Sequence, residues 1–346
     1  MKTIKWIQLF FMIPTLIISF ILIINYIIDP YSVTQYNILN ISNKLVGDDR
    51  VEKVAKLKSS PKYNNIILGS SRIYSTNPLL VSNYLGGSTY NAGVGTARIE
   101  DHLGFLLILK RENRLPDNLI IALDFYSFNI EVETNSYFLK NHDLNFISSS
   151  SVKQNYISNF LSIDAFKASL KTLKNHFKAK QSKPRFDING AANGASKVFT
   201  YIQESKAQNT LYPKALILKE LQHTKTLKYP KISTKRISYL KEIISICKTN
   251  NINLYTLITP LNGQLLKSIT SDKILKKRLI EFKNILAENI SFYDFLLHNS
   301  IIDNAANFTD PTHTNILTGN LMYAKIFNDS KIKATQDFGK FIKCRN

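Results

Sequence analysis

Cysteine, tryptophan and acidic residues are all scarce in this chain. Its two cysteines, Cys247 and Cys344, are too few to staple a fold, which excludes a disulfide scaffold. A pair could form outside the cytoplasm, but nothing in their spacing requires it. His142, His176, His223 and His298 are scattered without ligand spacing or a Cys/His cluster, so no metal is expected. Twelve glycines form no Walker-type or dinucleotide loop, Gly93-Val94-Gly95 being too short, and no cofactor is expected. No internal repeat is evident.

Asp+Glu total 25 against 45 Lys+Arg, giving a net charge of +20 and a pI near 9.7. Such an excess raises nucleic acid, an anionic membrane surface or an acidic polymer as partner, against the plain alternative of solubility in a Lys/Asn/Ile-biased chain. Hydrophobic residues at 44% and charged residues at 20% are ordinary for a globular protein and exclude a disordered or collagen-like chain. A length of 346 residues accommodates one large α/β domain or two small ones.

From Trp6 to Ile28 there is no charge, a run long enough as a helix to cross the roughly 30 Å hydrocarbon layer. A cleaved signal peptide has a shorter apolar region and a small-x-small cleavage site, whereas this run ends in Ile27-Ile28-Asp29-Pro30. An uncleaved transmembrane anchor, residues 1–30, is therefore expected. Lys2 and Lys5 precede it, which keeps the N-terminus in the cytoplasm and sends the rest outward, to the periplasm or cell exterior. Removing these two lysines from +20 leaves +18 on residues 29–346. An outward-facing domain does not meet nucleic acid.

Residues 31–60 read as a juxtamembrane stalk or lead-in helix. Beyond them, continuous apolar runs suit strands buried on both faces: Asn65–Leu68, Ser88–Tyr90, Asn118–Leu123, Ile252–Ile258 and Ile290–Tyr293. Amphipathic patterns lie between, including Arg236–Lys248 after Ser233-Thr234 and Asp272–Glu288. Strand alternating with helix predicts an α/β domain over 61–346, a flavodoxin-like three-layer arrangement with a parallel sheet between helices. Residues 148–232 break the rhythm, with a Lys-rich helical stretch at Ile163–Lys180 and a glycine-bearing segment at Asn189–Gly194, and read as an insertion or cap.

The first buried strand runs into Gly69-Ser70-Ser71-Arg72, which puts a hydroxyl at the carboxyl end of a sheet strand, where open α/β sheets bind ligands. A serine there is a candidate nucleophile, and also an ordinary turn and helix cap. Far downstream, Asp310-Pro311-Thr312-His313 offers a carboxylate and an imidazole three residues apart, the spacing at which a turn brings both to one side. His102, in the helix after Glu100-Asp101, reads as an exposed or capping residue. Arg72 is a candidate substrate contact for an acidic ligand or one half of a structural ion pair.

Together these segments resemble the SGNH (GDSL-like) hydrolase and acyltransferase superfamily, in its membrane-anchored bacterial branch related to alginate O-acetylation and teichoic acid D-alanylation proteins. Gly69-Ser70-Ser71-Arg72 is similar to the first block, with Ser71 in the nucleophile position and Ser70 replacing the usual Asp. Tyr90–Thr96 is similar to the second, an Asn-x-Gly-x-x-Gly pattern in which Thr96 stands at the final glycine and Gly95 beside it. The third block falls on Asp124-Phe125-Tyr126-Ser127 without its asparagine, leaving Tyr126 or Asn129 as substitutes. Asp310–His313 is similar to the last block, with Gly319 following.

The resemblance covers roughly residues 60–130 and 235–325. It implies a Ser71-His313-Asp310 triad, an oxyanion hole from the amides near Gly95 and Thr96 with Tyr126, and acyl transfer through a covalent acyl-enzyme. It further implies an extracytoplasmic serine esterase or O-acyltransferase modifying a cell-envelope polysaccharide or other acylated glycan, alongside a multi-pass membrane O-acyltransferase partner. The alternative is a catalytically weak or inactive binding or assembly protein on the same fold, working with such a partner.

Overall fold

Runs of isoleucine and leucine build a six-stranded sheet in the computed structural model, which describes residues 2–30, 49–141, 143–147, 161, 163–178, 186–199, 211–330 and 336–345. The strands are β1 (Asn65–Leu68), β2 (Thr89–Asn91), β3 (Asn118–Leu123), β4 (Asn253–Ile258), β5 (Phe292–Asp294), a two-stranded hairpin of β6 (Phe308–Asp310) and β7 (His313–Thr314), and β8 (Lys340–Ile342). β1 to β5 run parallel in the order β2-β1-β3-β4-β5, the doubly wound order of flavodoxin-like sheets. β8 closes the β5 edge in antiparallel pairing, which the sequence reading did not include. That edge strand is short and mostly exposed, so it carries no apolar run to announce it.

β1 and β3 are buried at every position, as strands covered on both faces must be. The chain leaves β1 towards β2 on one side and reaches β3 on the other, so the strand order reverses between β1 and β3. A crevice at the carboxyl ends of those two strands is where such sheets place ligands.

The helices are α1 (Lys2–Ile28), α2 (Asp49–Ser59), α3 (Pro78–Leu85), α4 (Ile99–Arg111), α5 (Ser136–Lys140), α6 (Ile163–Lys178), α7 (Lys214–His223), α8 (Thr234–Thr249), α9 (Gly263–Ser271), α10 (Lys273–Asn289) and α11 (Ile316–Ile326). Several start where side chains satisfy the first backbone amides. Ser233 caps α8 through the Arg236 N–H, and Asp272 caps α10 through Ile274 and Leu275. A buried ion pair joins α8 to α4, with Arg236 Nη2 3.0 Å from Glu100 Oε1.

Residues 60–135 and 184–346 form one compact unit, which holds the sheet; residues 1–59 and 136–183 form another. The latter contains α1, whose stretch Phe10–Ile28 is long and apolar enough to cross a membrane. Of the predicted stalk, residues 31–48 lie outside the described residues and 49–59 are α2. Of the predicted insertion, 148–160, 162, 179–185 and 200–210 lie outside them; α6 belongs to the unit with α1, and residues 186–199 and 211–232 belong to the sheet unit.

Candidate active site

β1 ends at Leu68, and Gly69 turns the chain into a short 3-10 helix over Ser71–Ile73. A Cβ on Gly69 would stand 3.0 Å from both Ala122 Cβ and Ile73 Cδ1, so a side chain there would press on β3 and on the turn itself. The two serines separate in role. Ser70 is buried and caps the turn by accepting from the Arg72 N–H, whereas Ser71 is half-buried, with its hydroxyl turned to His313. The Ser71 amide opens the 3-10 helix and therefore has no intrahelical acceptor.

The hairpin of β6 and β7 brings the base. Asp310 pairs directly with His313 across it, and Pro311-Thr312 form the tip. Pro311 O accepts from the Asn262 N–H at 3.0 Å, and the Tyr212 hydroxyl donates to Ala305 O and Phe308 O, which fixes the hairpin over the strand ends. His313 Nε2 lies 2.8 Å from Ser71 Oγ and His313 Nδ1 lies 2.7 Å from Asp310 Oδ2. An ionised carboxylate only accepts, so Nδ1 carries the hydrogen and Nε2 is left to take the serine proton.

Asp310 is held from its other oxygen as well. Oδ1 accepts from the Thr312 N–H at 2.8 Å, from Thr312 Oγ1 at 2.8 Å and from the His313 N–H at 3.0 Å. Burial by itself would raise this carboxyl. The His313 hydrogen bond and charge, with the Thr312 bonds, outweigh burial and hold it well below the ordinary carboxylate range. Asp310 thus stays ionised behind the imidazole. Thr312 escaped the sequence reading because a threonine between Asp and His has no pattern of its own.

The second block is tied to the nucleophile turn. Asn91, fully buried, donates to Ile73 O at 2.7 Å and accepts from the Gly93 N–H at 3.0 Å, while the Val94 N–H donates to Gly69 O at 3.1 Å. Thr96 sits at φ 49°, the left-handed region that a glycine enters without steric cost. Its Oγ1 accepts from Asn135 Nδ2 and its carbonyl accepts from Arg98 Nη1, bonds that occupy acceptors and leave the Thr96 amide and hydroxyl proton as the donors for an oxyanion role. Gly95, like Thr96, is half-buried.

The third block is spent internally. Arg72 Nη1 donates to Asp124 Oδ1 at 2.9 Å, Thr259 Oγ1 donates to the same oxygen, and both charged side chains are buried. Of the two readings of Arg72, the geometry therefore gives the ion pair. The guanidinium also lies 5.2 Å from the Tyr126 ring centre. Tyr126, buried, has its hydroxyl pushed up by that burial, and donates its proton to Ala97 O at 3.3 Å. Asn129 donates to Lys225 O and Lys228 O. Neither side chain is directed to Ser71 by these bonds.

Two further segments support the turn. Gly319 in α11 faces it so closely that a Cβ would stand 3.0 Å from Ser75 Oγ. Gly190, at φ 79°, lets the 186–192 segment dock on β2, where a Cβ would stand 2.2 Å from Asn91 O. Both glycines stood out in the sequence, Gly319 after the last block and Gly190 within 189–194, but the partners they pack against did not. His102 is buried within α4, which corrects the expectation of an exposed or capping residue; the helix packs into the core on that side as well. Cys247 and Cys344 are both free thiols.

No protein-family model matches this chain, and no curated protein matches it either.

Proposed function

We propose that the chain is a membrane-anchored serine acyl-transfer enzyme, an esterase or O-acyltransferase acting on a cell-envelope polysaccharide. The observation that carries this reading is the continuous relay from Ser71 Oγ through His313 to Asp310, with heavy-atom distances of 2.8 and 2.7 Å. In the first half-reaction Ser71 Oγ attacks an ester carbonyl while His313 Nε2 takes its proton. The Ser71 amide, with those of Gly95 and Thr96, holds the tetrahedral oxyanion. Collapse expels the alcohol, which takes its proton from His313, and leaves the acyl group on Ser71. Water or a sugar hydroxyl then gives its proton to His313 and attacks the acyl-enzyme, releasing acid or the new ester together with free Ser71.

Anchoring through α1, with the sheet unit on the outer side of the cytoplasmic membrane, is supported by its apolar length and by Lys2 and Lys5 before it. The excess of basic residues suits an anionic glycan. A multi-pass membrane O-acyltransferase supplying the acyl group completes the proposed reaction. One observation favours the second reading, an assembly protein without turnover: Asp124 and Tyr126 are committed to internal bonds, so the third block offers no side-chain donor.

The test uses the full chain in detergent with p-nitrophenyl acetate and an acidic polysaccharide. Acetylated Ser71 by peptide mass, followed by acetate release or acetyl transfer to the glycan, supports the enzyme and separates esterase from transferase. A folded chain with unmodified Ser71 moves the account to the assembly reading.

A further inference from the structure

The unit containing α1 carries a second apolar surface. Along α6, Ala165, Ser169 and Thr172 recur at helical spacing and are fully buried. Ser169 Oγ donates to Asn25 Oδ1 at 2.9 Å, and the Phe166 ring centre lies 6.2 Å from that of Phe20, so this region of α6 packs on α1 with both helices running in the same direction. At 100° per residue, Ile163, Phe166, Leu170, Leu173 and Phe177 fall on a second stripe, roughly 110° round the helix from the first. Lys167, Lys171 and Lys174 fall on a third.

Phe166 and Leu173, on the α1 side of the apolar stripe, are half-buried, and its other three residues are exposed. Ile163 is 64% exposed, Leu170 49% and Phe177 81%. It continues the surface of α1, since Phe20 is itself 57% exposed and lies inside the membrane-length stretch Phe10–Ile28. Phe20 stands about 12 Å along the axis from Ile28, the end of that stretch, which is within one leaflet of a roughly 30 Å hydrocarbon layer.

We propose that α6 is a lipid-inserted helix that lies against α1 and sinks its Ile163-to-Leu170 stripe into the outer leaflet. The lysine stripe beside it lies along the apolar surface and reaches anionic headgroups. This rests on α1 being a membrane anchor. A stripe at i, i+3 and i+7 also seats a partner helix, but the flanking lysines and the continuity with α1 favour lipid.

The experiment places single cysteines at Ile163, Leu170, Lys171 and Ile17 in full-length Cys344→Ser protein. Cys247 is buried with its thiol pushed up to about 12, so it stays unlabelled. Each variant is labelled with an environment-sensitive fluorophore and reconstituted in phosphatidylethanolamine–phosphatidylglycerol vesicles, with and without brominated acyl chains. Blue-shifted emission that bromine quenches at positions 163, 170 and 17, and emission at 171 that bromine leaves largely unquenched, is the expected result. Water-like, unquenched emission at 163 and 170 with quenching at 17 overturns the proposal and leaves the anchor standing. Blue-shifted but bromine-insensitive emission at 163 and 170 assigns the stripe to a protein contact and also overturns it. Loss of quenching at 17 removes the anchor, and the proposal with it.

Discussion

β1 and β3 are neighbours in the sheet, both wholly buried, and each ends in a short 3-10 turn that carries polar residues, yet the two ends do different things. After β1, Ser71 is half-buried and meets a base from 242 residues downstream. After β3, Asp124 is closed off by Arg72 and Thr259, and the Tyr126 hydroxyl is used on Ala97 O. Both ends are polar and both are satisfied. What separates them is access. The β1 end keeps a half-buried serine with a proton acceptor in reach, whereas the β3 end neutralises its charges internally and gives the β1 turn something firm to rest on.

The largest effect that sharpens this contrast is at Ser71 and His313. Ser71→Ala or His313→Ala lowers acyl transfer by about 10⁴-fold or more, while the folding stability of Ser71→Ala stays within about 0.5 kcal/mol of wild type. Rates with p-nitrophenyl acetate and thermal melts check both halves, and retained turnover in either variant breaks the contrast.

Next comes the β3 end, where the loss falls on folding. Asp124→Ala strands the buried Arg72 charge and costs about 3–5 kcal/mol by denaturant titration. Replacing both, Arg72→Met with Asp124→Leu, restores much of that stability and leaves Ser71 reactive, as befits a pair that supports rather than reacts. A double variant that is stable but no longer acylated would bring Arg72 into the chemistry.

Thr312→Val is the intermediate case. It removes the hydroxyl bond to Asp310 Oδ1 but leaves the backbone bonds, so the acylation rate falls about tenfold, the scale of one hydrogen bond to a charged group, with little change in melting temperature. An unchanged rate means that the backbone amides alone hold the carboxylate.

The smallest effect concerns acid. The Asp310 carboxyl is depressed in the folded chain, so its contribution to stability is present above the unfolded carboxylate value, about pH 4, and lost as pH falls below it. Because Asp310 is more than a third exposed, the effect is modest. Melts at pH 7 and pH 3 should show a slightly steeper acid loss in wild type than in Asp310→Asn, and equal slopes contradict the assignment.

Much of the sheet was legible because its strands are buried on both faces, so Ile66-Ile67-Leu68 and Leu119–Leu123 read as continuous apolar runs. The antiparallel β8 and the hairpin that carries Asp310 and His313 were not, since strands of two or three half-exposed residues leave no periodicity. Ser71, Asp310 and His313 were legible as residue types in a spacing, and the bonds that orient them came from elsewhere. Asn262 and Tyr212 reach the hairpin from loops, and Thr312 acts through a side chain that a motif leaves open. His102 was misread because a histidine beside two acids looks solvated, and here the whole turn of α4 is buried.

The most direct test of the central claim is intact-mass and peptide mapping of the full chain in detergent after exposure to a fluorophosphonate. The account predicts one adduct, on Ser71, lost in Ser71→Ala and strongly slowed in His313→Ala. A folded chain that takes no adduct, or takes one on another serine, would contradict it.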